Sequence, residues 1–452
     1  MRPSRLGRTA KTTLRTGAGT GLRAGLATAA LLAMPGLAAA QDPVTVVEAA
    51  NSTQFIFNTL LFLIGGFLVM WMAAGFAMLE AGFVRTKNVS MQCLKNITLY
   101  SVAGLMFWFV GYSVLYSGGG DYFAGFGAGI PYSFAEDDIG TGYSSYSDWF
   151  FQMVFCATTA SIVSGTVAER IKFWPFVIFT AVLTAFIYPV VASWEWGGGF
   201  LDDMGFSDFA GSTLVHSTGG WAALIGAIII GPRLGKYADG KVNAILPSSV
   251  PLATLGMFIL WLGWFGFNGA SQLAMGTIAD ADDVSRIFVN TNMAAAAGVV
   301  AAVVYAQLRY GKIDVTLAIN GALAGLVAIT AEPLTPSVGL SVLVGAIGSL
   351  LACLTIPLLD KLKIDDVVGA IPVHLVAGIF GTLAVAFTNP DVGFMPQLIG
   401  VVATAVFVSV VSAVLWFALK ATIGVRPSEE VELAGLDIEE VGVPAYSEFA
   451  TT

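Results

Sequence analysis

Two histidines, the only ones among 452 residues, have matching sequence surroundings. His216 and His374 each follow an aspartate by eight residues, Asp208 and Asp366 respectively, and each precedes a glycine by four. Both lie in apolar runs, where an ionisable side chain is costly and is by default functional. A neutral imidazole donates one hydrogen bond and accepts one, so a pair can pass a small polar solute or a proton. The alternative is that each is a buried histidine bonded only to neighbouring backbone.

Other chemistry finds little support in the sequence. Two imidazoles are too few ligands for a metal site, and no Cys or carboxylate is expected at a matching depth. No Ser or Cys is identifiable as an activated nucleophile, so we expect neither an enzyme nor a bound metal or other cofactor. The three cysteines lie in or beside apolar segments, and their odd number argues against a disulfide framework: Cys93, Cys156 and Cys353.

Aromatic residues form a second group of candidates, in three stretches at or just outside the outer halves of apolar runs: DWFFQMVFCATTA (148–160), SWEWGGGF (193–200) and WLGWFGFNGAS (261–271). An aromatic belt at the membrane interface accounts for many of them. Rings at a pore mouth could also hold a small cation by cation–π attraction, worth about 0.5–2 kcal/mol. Rings stacked below would then exclude bulk water and hydrated ions.

The elements that carry these residues are predicted to cross a membrane. Hydrophobic residues make up 56% and charged residues 11% of the chain, which indicates an all-α polytopic membrane protein. A crossing helix needs about 17–25 mostly apolar residues. Eleven such segments are predicted, near residues 54–80, 90–116, 149–168, 173–194, 209–231, 248–270, 285–307, 313–331, 337–358, 367–388 and 396–423.

Basic residues give the orientation, because Lys and Arg concentrate in cytoplasmic loops. Arg85 and Lys87 follow the first segment, whereas the next loop, 117–148, has no Lys or Arg. The alternation continues along the chain with one exception, Arg286. It predicts an external N-terminus and a cytoplasmic C-terminus.

The two ends of the chain are predicted to differ from the membrane domain at 41–423. Residues 1–40 combine a basic segment, an apolar run and three alanines, which is typical of a cleaved export signal; an uncleaved anchor is the alternative. Residues 424–452 form a short acidic tail, predicted to be either disordered or a docking segment.

The histidine segments also suggest an internal symmetry. Spans five and ten are an odd number of spans apart, so they cross in opposite directions, as in an inverted repeat of spans 1–5 and 6–10. Eight helical residues rise roughly 12 Å, near half a hydrocarbon thickness, so the two histidines could meet near the bilayer centre.

At these motifs the chain resembles the ammonium transporter family (Amt, with the Rhesus proteins as distant relatives). The resemblance rests on DFAGSTLVH (208–216), DDVVGAIPVH (365–374), VAERIKF, WGGGF and GWFGFNGAS, and covers residues 54–446. It implies that Trp196, Ser271 and Phe155 bind external ammonium, that Phe155 and Phe267 form a gate, and that His216 and His374 line the conduit. It also implies that Asp208 supports the recruitment site, with a helix N-cap as the compatible alternative, and that Phe151 lies near that site.

The resemblance further implies a homotrimer in the bacterial inner membrane, contact of the tail with a PII-type signal protein, and ammonium or ammonia as substrate, with net movement of charge. Nothing predicts a nucleic-acid partner. Three alternatives stay open: an ammonium sensor reporting through the tail, a neutral-ammonia channel, and a channel for another neutral solute. One departure is Gly369, where family members often carry an acid.

Overall fold

The computed structural model describes residues 46–116, residue 122 and residues 140–447. Within these ranges the regular secondary structure is entirely helical. Asn51–Thr452 form one compact unit, and the residues up to Ala50 form a second. Of that second unit only residues 46–50 are described, and they are helical. The predicted export signal at 1–40 lies outside the described residues, as does most of the loop after the second predicted span.

Each predicted span coincides with a helix, labelled here in chain order. The helices are α1 Val46–Phe83, α2 Thr86–Tyr116, α3 Ser145–Thr166, α4 Phe173–Ser193, α5 Ser212–Ile230, α6 Val250–Gln272, α7 Ile278–Tyr310, α8 Val315–Thr330, α9 Val338–Lys361, α10 Ile371–Thr388 and α11 Phe394–Thr422.

Nine helices in the described part of the chain are long and apolar enough to cross a membrane. The helix α3 is not among those nine, and α8, with 16 residues, is shorter than the rest. The helix α7 contains the span predicted near residues 285–307 and begins before it, because Thr277 and Asp280 form a capping box that starts the helix at Ile278, in polar sequence.

Small residues allow the helices to approach closely. Gly298 of α7 faces Gly321 of α8, and a Cβ at Gly298 would lie 2.2 Å from the Gly321 carbonyl oxygen. Close backbone contact of this kind is how helices associate in lipid, where burial of apolar surface supplies no driving force. It explains why a chain with 52 glycines forms long, unbroken helices.

Charged side chains join the loops at one end of the bundle. Glu169 is buried, contacts Arg85, and accepts a hydrogen bond from Arg233 Nη1 at 2.8 Å. Arg233 also pairs with the buried Asp365, Nε to Oδ2, at 2.8 Å. Arg85, Glu169 and Arg233 follow α1, α3 and α5, and Asp365 precedes α10. The network therefore joins four loops at one end of the bundle, which is called the tail-bearing end below.

The C-terminal tail docks on this end of its own chain through residues 424–447. The Asp437 carboxylate accepts hydrogen bonds from the backbone N–H groups of Ser90 at 3.0 Å and Met91 at 2.9 Å. Glu432 accepts one from the Leu234 N–H at 2.7 Å. The described tail residues 424–447 therefore pack against loops of the same chain; residues 448–452 of the predicted tail lie outside the described residues.

Candidate functional site

Both histidines lie in π-helical turns that open a longer helix. The turn Ser212–Ser217 begins α5, and Ile371–Val376 begins α10. In the first turn the His216 N–H donates to the carbonyl oxygen of Gly211, five residues earlier, at 2.9 Å. Single π-helical turns within α-helices are frequent at functional sites, since the wider turn alters the direction of its side chains.

An aspartate caps each of these turns. The buried Asp208 carboxylate accepts hydrogen bonds from the backbone N–H groups of residues 211–214, at 2.7–3.2 Å. The Asp366 carboxylate accepts from Gly369 N–H at 3.2 Å and Ile371 N–H at 2.7 Å. The repeated eight-residue spacing from aspartate to histidine is thus the length of one such contact and one π-helical turn. The N-cap position of α5 itself is Gly211, and Asp208, three residues before it, accepts the hydrogen bonds from the N–H groups.

The two histidines meet in the interior of the bundle. Their Nδ1 atoms are 3.1 Å apart, and their ring centroids are 5.2 Å apart with planes inclined by 21°. One imidazole must therefore donate and the other accept, because two Nδ1 lone pairs would repel. His216 Nε2 is buried and has no hydrogen-bond partner among the described residues. The described residues contain no group of three or more His, Cys, Asp or Glu that could hold a metal ion.

The glycines that follow the histidines allow this contact. A Cβ at Gly220 would lie 2.8 Å from the Leu375 backbone nitrogen, next to His374. A Cβ at Gly378 would lie 2.5 Å from the Ser212 carbonyl oxygen, in the turn that carries His216. Each glycine therefore packs against the opposite π-helical turn, and any side chain there would push the two turns apart.

A row of aromatic rings leads to the histidines. Trp196 lies edge-on to Phe155, with ring centroids 6.1 Å apart, and Phe155 stacks on Phe267 at 4.0 Å. Phe267 in turn stacks on His216 at 5.2 Å, and Trp264 flanks the same imidazole at 5.0 Å. The sequence of contacts is continuous from Trp196 to His374.

A cavity of about 140 Å³ lies at the start of this row, at what is called below the aromatic end. Four predicted residues line it: Phe151, Phe155, Trp196 and Ser271. Four others were not predicted: Tyr116, Gln152, Phe209 and Leu273. The Trp196 indole N–H donates to the Asp208 carbonyl oxygen at 3.3 Å, so Asp208 links the indole to the cap of the first π-helical turn.

Comparison with known proteins assigns the sequence to one family. The profile of the Ammonium Transporter Family matches residues 60–446. The chain belongs to the ammonium transporter family. Membership, together with the membrane-length helices, makes it a multi-pass membrane protein.

Individual relatives within the family are similar over most of their length. Ammonium transporter Amt2 of Archaeoglobus fulgidus is 41% identical over 425 residues, which cover 86% of this chain and 88% of that one. A solved structure named Sensor Amt Protein has a TM-score of 0.79 and 36% identity, over 86% of this chain and 99% of that one. The crystal structure of Candida albicans Mep2 has a TM-score of 0.73 and 27% identity, over 85% and 89%.

Two cavities follow the histidines toward the tail-bearing end of this ammonium transporter family member. A small one is lined by His374, Asn320 and Gly369, among others, and a larger one of about 290 Å³ shares Asn320 and Gly369 with it. Gly369 has a φ of +81°, and a Cβ there would lie 2.6 Å from Asn320 Nδ2. This conformation and this contact suit glycine, so the acid that family members often carry would strain the backbone here.

Proposed function

We propose that this chain is an ammonium transporter. It binds ammonium in the cavity at the aromatic end, deprotonates it, and conducts ammonia past His216 and His374 with net movement of charge. We base the proposal on the continuous row of rings from Trp196 to the histidine pair. This row joins the cavity at the aromatic end to His216 and His374 through a constriction of buried aromatic rings.

The binding step follows from the chemistry of the cavity at the aromatic end. Trp196 and Phe155 present π systems that attract a small cation, and the Ser271 hydroxyl oxygen can accept a hydrogen bond from ammonium. The Ser271 hydroxyl donates to the Phe267 carbonyl oxygen at 2.8 Å, which leaves its own lone pairs available. Asp208 supports the site indirectly, through its carbonyl contact with Trp196.

Selectivity follows from the constriction. Ammonium and potassium have similar sizes, so a charged cavity alone would separate them poorly. Phe155 and Phe267 stack closely and are both buried, and moving an ion through such apolar surroundings is strongly unfavourable. Ammonium can release its proton and pass as a neutral molecule, whereas potassium cannot.

The topology proposed for this function has eleven spans at residues 41–423, with the N-terminus outside and the C-terminus cytoplasmic. Residues 1–40 are a cleaved export signal, and residues 424–452 are a cytoplasmic tail. Spans 1–5 and 6–10 are an inverted repeat, supported by the matched aspartate, π-helical turn, histidine and glycine of α5 and α10. The tail-bearing end, with its arginines, then faces the cytoplasm, in agreement with the positive-inside rule.

Family membership supports three further parts of the proposal. The protein acts in the bacterial inner membrane, as a homotrimer with one pore per subunit, and a PII-type signal protein contacts its cytoplasmic face.

Titration of a PII-type protein onto the purified transporter, with and without residues 424–452, tests the contact with the PII-type protein. Unchanged binding after truncation would contradict a contact through the tail.

The experiment for the transport mechanism compares wild type with a His216→Ala/His374→Ala double variant in proteoliposomes. Pulses of ammonium and of potassium are applied and the charge movement is recorded. We expect the double variant to lose its preference for ammonium over potassium, because the two alanines leave the conduit without the polar histidine pair. Retention of wild-type selectivity by a folded double variant would remove the histidines from the mechanism.

An ammonium sensor is the second candidate, favoured by one specific observation. The tail docks through Glu432 and Asp437 on loops that join the transport helices, and a solved relative is named a sensor. If the tail reports occupancy, ammonium but not potassium should change hydrogen exchange at residues 428–447. Identical exchange in both salts would eliminate this role.

A further inference from the structure

A buried carboxylate lies beyond the histidine pair in a place that the transport scheme leaves unused. Glu80, in the last turn of α1, has a fully buried side chain. Its Oε2 accepts a hydrogen bond from Ser164 Oγ at 2.8 Å, whereas its Oε1 has no hydrogen-bond partner among the described residues. A carboxylate buried in this way is costly unless a partner or a function compensates for it.

Glu80 and His374 line the same cavity. This cavity offers about 10 Å³ to the centre of a water molecule, which is about the space needed for a single water. Asn320 and Gly369 line it too. One water in this space would bridge the imidazole and the carboxylate, so a proton has a short route between them.

The same cavity leads on toward the tail-bearing end. Asn320, Val368 and Gly369 also line the larger cavity of about 290 Å³, which reaches exposed surface at Tyr310 and Asp314. Glu80 therefore lies beside the route between the histidine pair and this larger cavity. It lies on the opposite side of the histidines from the cavity at the aromatic end.

A lysine supplies the charge that compensates for Glu80. Lys95 of α2 is fully buried, and its Nζ donates to the Ser164 carbonyl oxygen at 2.9 Å and lies 4.8 Å from the ring centroid of Phe176. Ser164 thus contacts both charged side chains. The Asn96 amide donates to the Gln92 carbonyl oxygen at 2.9 Å and is near enough to interact with the Glu80 carboxylate. Ser164, Lys95 and Asn96 thus offset part of the cost of burying the Glu80 carboxylate, and its Oε1 keeps an available lone pair.

We propose that Glu80 receives the proton that ammonium releases and passes it on to the tail-bearing end; this rests on the transport function proposed above. An N–H bond of ammonium breaks and its electron pair stays on nitrogen, giving ammonia. The proton forms an N–H bond at His216 Nε2, which has no other partner among the described residues, while His216 passes its Nδ1 proton to His374 Nδ1. An N–H bond at His374 Nε2 then breaks, and that proton forms an O–H bond at Glu80 Oε1. That bond then breaks toward water in the larger cavity, and the carboxylate is restored. Glu80 carries the proton while the conduit carries ammonia, so the net charge moved is that of ammonium.

The experiment measures current and internal pH in the same proteoliposomes for wild type and Glu80→Gln. Glutamine keeps the size and the acceptor for Ser164 but cannot be protonated. We expect the ammonium-evoked current to fall by about tenfold or more, and the vesicle interior to become alkaline, because ammonia still enters without its proton. The matched control is Glu332→Gln, a buried glutamate that lines neither of these two cavities, and its current should equal that of wild type.

A second variant separates a proton carrier from a structural counter-ion. In Glu80→Gln/Lys95→Met the buried positive charge is removed together with the negative one. If Glu80 only neutralises Lys95, this double variant regains the current; if it carries the proton, the current stays low. Recovery in the double variant, or an unaltered current in Glu80→Gln, would overturn the proposal.

Failure of the transport function and failure of the proton carrier give different results. Wild type without an ammonium-selective current would refute the transport function, whereas equal currents in wild type and Glu80→Gln would refute only the proton carrier. If Glu80→Gln does not fold, infrared difference spectra of wild type in ammonium and potassium replace it. An ammonium-dependent carboxylic acid band that shifts in Glu80→Asp supports the proposal, and its absence from wild type contradicts it.

Discussion

Trp196 determines what the cavity at the aromatic end can bind. Its indole N–H is held by the Asp208 carbonyl oxygen, so the face of the ring is free for a cation while its orientation is set by the cap of α5. Phe155 meets it edge-on and is itself one of the two stacked rings of the constriction. Recognition and exclusion therefore share Phe155, whereas Trp196 belongs to recognition alone and can be tested separately.

Replacement of Trp196 by Leu removes the cation–π attraction and keeps an apolar side chain. We expect the ammonium concentration that gives half-maximal current to rise about 2- to 30-fold, which corresponds to about 0.5–2 kcal/mol. The matched control is Trp174→Leu, at an exposed tryptophan in the first turn of α4. An unchanged half-saturation in Trp196→Leu would show that the cavity does not bind the cation through this ring.

At the scale of elements, the contact between two π-helical turns produces the site. The turns can meet only because Gly220 and Gly378 lack side chains at their crossing. The histidine contact is thus a consequence of helix packing, and a change at the crossing should alter transport without touching any ring in the row.

Gly220→Ala tests this dependence. The added Cβ would overlap the Leu375 backbone, and overpacking of this kind typically destabilises a protein by about 1–3 kcal/mol. We expect a lower unfolding temperature in detergent and a reduced preference for ammonium over potassium. Gly104→Ala, in the middle of α2, where the nearest atom to an added Cβ is 3.8 Å away, should alter neither. Wild-type selectivity in Gly220→Ala would contradict the packing argument.

The sequence predicted the positions of the helices, because long apolar runs are a strong signal in a membrane protein. Apolarity does not show where α7 begins, since a capping box starts that helix in polar residues before the predicted span. The sequence could not predict the π-helical turns, because their extra residue leaves no periodic trace in so uniformly apolar a sequence. Their signal was present only as the repeated eight-residue spacing before each histidine.

The candidate site was predictable where the residues belong to recognisable motifs. Trp196, Phe155 and Ser271 do, and the structure brings them into one cavity. Gln152 and Glu80 do not belong to such motifs. From the sequence alone, a single polar residue in or at the end of an apolar helix cannot be told from one that faces a loop. Only the three-dimensional contacts show that these side chains face cavities along one route.

At the scale of the whole molecule, the charged network at the tail-bearing end holds the loops together. Burial raises the pKa of the Asp365 carboxyl, but the hydrogen bonds and charge of Arg233, together with the charge of Arg170, outweigh burial and lower it well below its usual range. A carboxyl whose pKa is lower in the folded state stabilises the fold at any pH above its unfolded value.

Asp365→Asn should therefore destabilise the protein by about 3–5 kcal/mol, because it leaves Arg233 buried without its full counter-charge. The difference in unfolding temperature from wild type should be constant between about pH 5 and 8 and shrink only below about pH 4, where Asp365 of the unfolded wild-type chain takes up a proton while the folded protein keeps this carboxylate ionised. The matched control is Asp360→Asn, which breaks the more exposed contact with Lys236 and should cost at most about 1 kcal/mol. Equal losses for the two variants would contradict a special role for the buried network.

The most direct test of the transport claim is the charge moved by wild-type proteoliposomes after an ammonium pulse, with a potassium pulse of equal concentration as the reference. We expect a saturable inward current with ammonium and none with potassium. Equal currents from both cations would contradict selection by deprotonation, and internal alkalinisation without current would show that neutral ammonia passes alone.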